Sequence, residues 1–158
     1  MLDRGEDGNV SDPPTSAHRR TALHWATFTN KADVVGVLVK AGACLQAVGE
    51  GHESPLHVSA ERNALEAARA LLRHGADSNA TDAFRQTPLH RVASTQGAVG
   101  MVVLLLDSGS APMMNDANGQ TAADVVGADV EEDDRSKEEM DVLGRLLASA
   151  PVARDNNM

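Results

Sequence analysis

Aromatic side chains are nearly missing from this chain. Its 158 residues include one Trp, two Phe and no Tyr, which is 2% of the residues, although 42% are hydrophobic. The core of such a protein must be aliphatic. A globular enzyme of this size usually has more aromatic bulk, whereas a stack of thin helical layers does not need it, because each layer covers only its neighbour. The composition therefore favours one domain of layered helices over a compact enzyme.

Cysteines and long apolar runs are also scarce. The single cysteine, Cys44, excludes an internal disulfide framework, and no apolar run of the signal-peptide kind lies near the N-terminus. We therefore expect an intracellular protein of the cytoplasm, the nucleus or both. The longest apolar run, from Met101 to Leu106, is far shorter than the ~20 residues that a membrane-spanning helix needs, so no membrane association is expected.

An excess of basic charge is absent as well. The net charge is −9, and residues 129–141 hold eight acidic and two basic residues, a net charge of −6, which leaves −3 for the remainder. A nucleic-acid-binding surface needs a basic patch to contact phosphates, so no nucleic-acid partner is expected. The acidic segment lacks the alternating Asp spacing of a calcium loop. We predict a solvated insert there.

What the sequence does contain is a repeat. The tetrapeptide Thr21-Ala22-Leu23-His24 returns at an even interval as Ser54-Pro55-Leu56-His57 and as Thr87-Pro88-Leu89-His90, and a weaker Thr121-Ala122-Ala123-Asp124 follows after almost the same interval. Glycines recur in the same phase, at Gly42, Gly75 and Gly109. Thr and Ser are good N-caps, Pro suits the first helical turn, and Gly suits a helix end. The markers predict a helix that begins at each of residues 21, 54, 87 and 121.

Apolar residues between these markers predict which helix faces are buried. The first helices are expected to bury Leu23 and Ala26, Leu56 and Ala60, and Leu89 and Ala93. In the second helices the apolar residues fall at i, i+1, i+4 and i+5, which gives one broad helical stripe: Val34, Val35, Leu38, Val39; Ala67, Ala68, Leu71, Leu72; Met101, Val102, Leu105, Leu106; and Val142, Leu143, Leu146, Leu147.

The fourth repeat departs from this pattern. Its stripe begins at Val142, which lies much further from the repeat start at Thr121 than Val34 lies from Thr21. The excess is eight residues, and they are the acidic ones. Insertions in a repeat usually form loops, and a terminal repeat is where atypical sequence is expected. An acidic loop between the two helices of this repeat is therefore predicted.

Both markers resemble the ankyrin repeat, whose period is about 33 residues and whose signature is Thr-Pro-Leu-His-x-Ala. The resemblance covers residues 16–150. It implies an all-α ankyrin-repeat solenoid of about four helix-turn-helix repeats with short β-hairpin fingers. It also implies that each motif histidine bonds back to the Thr hydroxyl and onward to the next repeat, and Asp124 can take the first of these roles as a capping-box acid. The predicted segments are a disordered tail over 1–15, repeats over 16–48, 49–81, 82–115 and 116–150 with the acidic insert 129–141, and a C-terminal tail over 151–158.

One departure concerns the turn before each first helix. The family pattern has Gly two residues ahead of the Thr, whereas this chain has Arg19, His52, Arg85 and, only in the fourth repeat, Gly119. If the slot needs a positive φ, a residue other than Gly costs about 1–2 kcal/mol there. Either the fingers are remodelled or these residues carry strain.

The motif histidines His24, His57 and His90 do not predict a metal site. Packed helices lie about 8–10 Å apart, whereas ligands that share a zinc at ~2.1 Å each must lie far closer together. The sequence also lacks a nucleophile elbow and a phosphate loop. Cys44 occupies the repeat position that holds Asp77 in the next repeat, which indicates a half-exposed thiol without a functional role. We therefore expect no enzyme, no catalytic residue, no cofactor and no metal.

The resemblance implies that partners contact the finger tips and the exposed edge of the first helices. All three aromatic residues of the chain fall on these positions, and aromatic residues and Arg dominate interface hot spots. An alternative is that Trp25 and Phe28 fold over the open end of the first repeat as a cap. The predicted partner-binding residues are Trp25, Phe28, Glu61, Arg62, Phe84, Arg91, Ser94 and Thr95.

The sequence thus predicts a monomeric, non-catalytic protein–protein interaction module that presents a concave ankyrin surface to a protein partner. Two alternatives stay open. One is a small regulatory inhibitor or assembly chaperone directed at a kinase or the proteasome. The other is the targeting module of a larger ankyrin-bearing enzyme, such as an acyltransferase or a kinase.

Overall fold

The helices follow the predicted repeat. A computed structural model describes residues 20–95, 98–126 and 134–149. Within these ranges the helices are α1 (Ala22–Phe28), α2 (Ala32–Lys40), α3 (Pro55–Glu61), α4 (Leu65–Arg73), α5 (Pro88–Ala93), α6 (Val99–Asp107) and α7 (Asp134–Ser149). Each of the first three repeats pairs a helix of 6 or 7 residues with one of 9 residues. The predicted all-α ankyrin-repeat solenoid is confirmed.

The helices form layers that stack in chain order. The short helix α3 contacts α1 on one side and α5 on the other, while α4 lies between α2 and α6, and α7 continues the outer row against α6. Leu23, Leu56 and Leu89 of the short helices have no exposed surface or only 1% of it. Full burial of such a side chain stabilises the fold by about 1.5–3 kcal/mol. The core is therefore the aliphatic seam between the two rows of helices.

Each short helix begins at the predicted cap. The His24 Nδ1 accepts a hydrogen bond from the Thr21 backbone N–H at 3.1 Å and lies 2.9 Å from the Thr21 hydroxyl. Because Nδ1 accepts, the proton is on Nε2, which donates to the Glu53 carbonyl of the next repeat at 2.9 Å. The same links join His57 to Gln86 at 2.9 Å and His90 to Gln120 at 3.0 Å. The histidine role implied by the resemblance is confirmed.

The fourth repeat keeps the cap but not the first helix. Thr121 donates to Asp124 Oδ2 from its backbone N–H at 2.8 Å and from its hydroxyl at 2.7 Å, as predicted for a capping acid. Residues 122–126, however, form turns, so the prediction of a helix from residue 121 is wrong. Val125, Val126 and Gly127, which follow Asp124 in the sequence, have low helix propensity. Asp124 also has no counterpart of the histidine Nε2, the atom that bonds to the next repeat in the first three repeats.

The apolar stripes are narrower at the two ends of the stack than predicted. Val34 of α2 and Val142 of α7 are each 44% exposed, whereas Val35 and Leu143 beside them are fully buried. In the middle of the stack Ala67, Ala68 and Leu71 are all 0% exposed. The reason is that α2 and α7 have a described neighbouring layer on one side only, so half of the stripe has nothing to pack against.

The turn slots have the backbone that glycine favours. His52 and Arg85 have φ values of 57° and 58°, and Gly119 has a φ of 77°. Of the two alternatives that the sequence left open, the structure shows positive φ at His52 and Arg85 rather than a remodelled turn, and Arg19 lies outside the described residues. The fingers form as hydrogen-bonded turns, for example through Asp82 N–H to the Gln86 carbonyl at 3.0 Å, and the described finger residues contain no strand.

The last helix begins earlier than predicted. Residues 134–141, predicted as part of an acidic loop, are the first half of α7, so the loop prediction is wrong for them. Acidic residues at the start of a helix interact favourably with its dipole, which explains why this segment can be helical despite its charge. Residues 129–133 of the insert and the predicted tails, 1–15 and 151–158, lie outside the described residues.

Candidate protein-binding surface

Trp25 and Phe28 form an aromatic pair on the exposed edge of α1. Their ring centroids lie 5.9 Å apart at an interplanar angle of 72°, an edge-to-face arrangement that aromatic rings prefer. Trp25 is 42% exposed and Phe28 is half-buried. The spacing of three residues places both side chains on one helix face. The structure therefore brings together the two aromatic residues that the sequence predicted as a pair.

Two arginines flank this pair. The Arg20 guanidinium lies 5.9 Å from the Trp25 ring centroid and 5.6 Å from that of Phe28. The Arg62 guanidinium comes from the end of α3 in the next repeat and lies 4.4 Å from the Phe28 centroid. All three distances are within cation–π range. We call Arg20, Trp25, Phe28 and Arg62 the aromatic–arginine patch.

Glu53 anchors the patch from the second finger. Its carboxylate lies 3.7 Å from Arg20 Nε and accepts a hydrogen bond from the Gly51 N–H at 2.8 Å. In the third finger the comparable carboxylate belongs to Asp82, at the slot that is Gly49 here. A Cβ on Gly49 would lie 2.7 Å from the Glu53 carboxylate. Glu53 therefore fills the space that the missing Asp side chain leaves.

Arg91 and Glu61 are engaged with each other and with the third finger. Arg91 donates to Asp82 Oδ2 from Nε at 3.0 Å and from Nη2 at 2.6 Å, and Nη1 lies 3.5 Å from Glu61 Oε2. The Asp82 side chain has no exposed surface, and its Oδ1 accepts the backbone N–H of Phe84 at 2.8 Å. These contacts tie repeats 2 and 3 together, so Arg91 holds the surface in shape.

Sequence reasoning missed Asp82. A signal for it exists, because Asp82-Ala83-Phe84-Arg85-Gln86 returns one repeat later as Asp116-Ala117-Asn118-Gly119-Gln120. Asp116 Oδ1 accepts the backbone N–H groups of Asn118 and Gln120 at 2.8 and 3.0 Å. The Gln120 bond contributes most to holding the pKa of Asp116 below its usual range. The repeated Asp is therefore a finger-closing residue.

Phe84 stands apart from the aromatic pair. Its side chain is 62% exposed at the tip of the third finger, and its ring contacts neither other aromatic ring of the chain. Its carbonyl accepts the Ala117 N–H of the next finger at 2.9 Å, just as Gly51 accepts from Ala83 at 3.0 Å. The backbone under Phe84 is thus fixed on both sides, while the ring itself is displayed.

Ser94 and Thr95 use their hydroxyls at the end of α5. Both donate to the Arg91 carbonyl, at 3.1 and 3.2 Å, and both side chains are half-buried. A groove of about 320 Å³ lies beside Ser94, lined among others by Arg91, Asn118 and Val125. Of the predicted partner-binding residues, the structure thus brings Trp25, Phe28 and Arg62 together and groups Glu61, Ser94 and Thr95 around Arg91, whereas Phe84 stands apart at its finger tip.

The histidines belong to the scaffold. Burial lowers the pKa of His57 below its ordinary value of 6.5, so the ring is neutral at physiological pH, as its hydrogen bonds require.

Among the described residues, no group of three or more His, Cys, Asp or Glu side chains gathers in a way that could hold a metal ion. Cys44 is exposed. A search of the described helices finds no candidate for a membrane-spanning segment.

Comparison with known proteins identifies the family. A family model described as ankyrin repeats (3 copies) matches residues 1–82, and one described as ankyrin repeats (many copies) matches residues 71–126. The first match covers more than half of the chain. The chain therefore belongs to the ankyrin repeat family, whose members are protein-interaction modules and are generally non-catalytic.

Similar proteins include much longer chains. The Homo sapiens ankyrin repeat and SOCS box protein 6 is 34% identical over 147 residues, which is 84% of this chain and 34% of that protein. A Danio rerio protein named as a putative palmitoyltransferase, ZDHHC13, is 32% identical over 102 residues, 64% of this chain and 16% of its own length. The Mus musculus B-cell lymphoma 3 protein homolog is 32% identical over 122 residues, 77% of this chain and 27% of its own. This chain thus spans about a third or less of each of these relatives.

Proposed function

We propose that this protein binds a protein partner on the concave face made by its fingers and first helices, with Trp25, Phe28, Arg62 and Phe84 as anchors. The observation that carries the proposal is the placement of the aromatic residues. The chain has three of them, and Trp25 and Phe84 are 42% and 62% exposed while the core is aliphatic. Large exposed aromatic side chains beside Arg are typical of interface hot spots.

The proposed mechanism is rigid display. The patch side chains are held by ring–ring and cation–π contacts, and the Phe84 backbone is bonded to the neighbouring finger. A surface that is already ordered loses little conformational entropy on binding, so a few anchors are sufficient for affinity. Glu61, whose side chain is 54% exposed, and its partner Arg91 are proposed as polar contacts on this surface, and Ser94 and Thr95 as contacts near its edge.

Affinity capture from the native cell lysate tests the proposal. The bait is the wild-type protein beside the double variant Trp25→Ala/Phe84→Ala. A matched control is Val37→Ala/Val103→Ala, because these two valines are also exposed apolar residues, at 67% and 39%, but lie on the second helices. We expect specific proteins to be lost with the aromatic variant and retained with the valine variant. Equal retention on both variants would refute the proposed face.

The same variants address the alternative that Trp25 and Phe28 cap the first repeat. Circular dichroism melting of Trp25→Ala should show a transition close to that of the wild type, because Trp25 is 42% exposed and lies outside the aliphatic core, so its removal opens no core cavity. Selective unfolding of the first repeat in this variant would instead support the capping role and remove Trp25 from the proposed interface.

The relatives favour one setting for this activity. Since the chain spans about a third or less of the relatives described above, we propose that it serves as the targeting module of a larger protein rather than as a stand-alone inhibitor or chaperone. An immunoblot of the endogenous protein with an antibody against the repeats tests this. A band well above the size of 158 residues is expected, and a band at that size would favour the stand-alone role.

A further inference from the structure

Among the described residues, two of the four arginines on the finger and first-helix face have no acidic partner. Arg20 lies 3.7 Å from Glu53, and Arg91 is paired with Asp82 and Glu61. In the described part of the chain, by contrast, no carboxylate lies within 4.0 Å of Arg62 or Arg85. These two guanidinium groups are therefore the ones that an acceptor from outside can meet.

The nearby carboxylates of Glu53, Glu61 and Asp82 are engaged with other groups, which leaves the Arg62 guanidinium unpaired among the described residues. Glu53 accepts the Gly51 N–H and faces Arg20, while Glu61 faces Arg91. Asp82 accepts two bonds from Arg91 and two from the backbone of its own finger, at Phe84 and Gln86. None of these three acids has its charge free to neutralise Arg62.

The position of Arg62 suits it to a planar anion. Its guanidinium lies 4.4 Å from the Phe28 ring centroid, so one face of the guanidinium plane is covered by the Phe28 ring. The N–H donors at the edge of the guanidinium plane then remain for a carboxylate, which guanidinium groups bind in a bidentate manner. Arg20 adds positive charge to the same ring at 5.6 Å, and its buried Nε has no hydrogen-bond acceptor among the described residues.

We propose that the aromatic–arginine patch recognises an acidic peptide segment of the partner, in which an Asp or Glu carboxylate pairs with Arg62 and a neighbouring apolar side chain packs on Trp25. This inference rests on the proposed function, because it names the chemistry of the partner at the same face. A polyanion such as nucleic acid is disfavoured, since the chain as a whole has a net charge of −9. A single carboxylate matches the charge of one unpaired guanidinium.

A peptide library provides the first test. Random twelve-residue peptides displayed on phage are selected on immobilised wild-type protein and, separately, on Arg62→Gln. We expect Asp and Glu to be enriched about threefold over the unselected library on the wild type and to lose that enrichment on Arg62→Gln. The matched control is Arg73→Gln, which removes an exposed arginine from the last turn of α4 and should select the same acidic peptides as the wild type.

Binding of individual peptides gives the second test. Trp25 is the single tryptophan of the chain, so its fluorescence reports on this site alone. A selected peptide should shift the Trp25 emission, and its Asn or Gln version should bind about tenfold or more weakly. That difference should shrink to about twofold or less on Arg62→Gln and should persist on Arg73→Gln. Such a cycle isolates the carboxylate–Arg62 pair from other contacts.

The outcomes separate this inference from the proposed function. Selected peptides without acidic enrichment that are lost on Trp25→Ala, measured by anisotropy of a labelled peptide, would overturn the acidic preference while the proposed face stands. Peptides that bind Trp25→Ala as well as the wild type would contradict both. A selection that enriches no peptide over the bare support would also overturn the inference.

Discussion

His57 of the second repeat donates from Nε2 to the carbonyl oxygen of Gln86 in the third finger at 2.9 Å, while its Nδ1 accepts the Ser54 backbone N–H at 3.1 Å. One buried ring thus caps its own helix and fixes the next repeat. The Nδ1 bond needs the neutral ring, because a protonated Nδ1 would face an N–H donor, whereas Nε2–H donates to the Gln86 carbonyl in either protonation state. The helix cap at this junction therefore depends on the protonation of His57.

Stability should accordingly fall as the pH is lowered. Burial lowers the folded-state pKa of His57 below 6.5, so the unfolded chain binds this proton more tightly than the folded chain. The contribution of His57 is fully present above pH ~6.5 and is lost as the pH falls from there through the folded-state pKa. Urea unfolding across this range should show a declining midpoint. An NMR titration of the His57 ring with a midpoint at or above 6.5 would contradict the prediction.

Replacing Arg85 by glycine should not destabilise the protein. Arg85 has a φ of 58°, where a residue with a side chain costs about 1–2 kcal/mol and glycine does not. Because glycine also adds entropy to the unfolded chain, Arg85→Gly should be neutral or stabilising by up to about 1 kcal/mol. Chemical denaturation measures this free energy.

Gly119→Ala is the reverse control for the same slot. Gly119 has a φ of 77°, and an added Cβ would have no heavy atom within 4 Å, so any loss comes from the backbone alone. We expect a destabilisation of about 1 kcal/mol. Equal stability of Gly119→Ala and the wild type would show that the finger tolerates a side chain at this position. A clear loss of stability in Arg85→Gly would show that the third finger requires one.

Arg91→Ala and Arg62→Ala should differ in stability. Arg91 makes two short bonds to the fully buried carboxylate of Asp82, and its removal leaves that charge with only its backbone donors. We expect a loss of about 1–3 kcal/mol. Arg62 is exposed and contributes a cation–π contact with Phe28, so Arg62→Ala should cost less than about 1 kcal/mol. Thermal and urea unfolding measure both losses of stability. A larger loss in Arg62→Ala than in Arg91→Ala would contradict the structural role of Arg91.

Truncation of the central core should be costly. Leu71 of α4 is 0% exposed and lies in the middle of the stack, so Leu71→Ala should destabilise the protein by about 2–5 kcal/mol through lost burial and the resulting cavity. Val37→Ala on α2 removes a side chain that is 67% exposed and should change stability by less than about 0.5 kcal/mol. A small effect at Leu71 would mean that neighbouring layers collapse into the space.

The start of α7 can be measured by amide exchange. Because Leu143 and Leu147 are buried against the stack and the helix extends back to Asp134, amides from residue 138 onward should be protected. Protection that begins only near residue 142 would restore the longer acidic loop predicted from the sequence. Deletion of residues 134–137 removes the first turn of α7 and should lower the stability, whereas a rise in stability would favour the charged loop.

Local chemistry explains what the sequence determined by itself. Each cap joins a Thr or Ser to a His or Asp three residues later, so recognition needs only neighbouring residues, and all four caps formed. The repeat phase also placed His52 and Arg85 in the slot of Gly119, although it left open whether these residues take a positive φ or the finger is remodelled. The aromatic pair on α1 was also predictable, because a spacing of three residues on a helix fixes a shared face.

The tertiary structure decided the properties that depend on the neighbouring layer, namely burial and charge pairing. Val34 and Val142 have the same sequence pattern as buried positions in the middle repeats, yet both are exposed because they face the ends of the described stack. Arg91 and Arg62 are both predicted surface arginines, but only Arg91 meets a buried carboxylate, since the third finger brings Asp82 beside it. A periodic sequence specifies each layer and its internal bonds, whereas burial and charge pairing arise between layers, from contacts a full repeat apart that no local pattern contains.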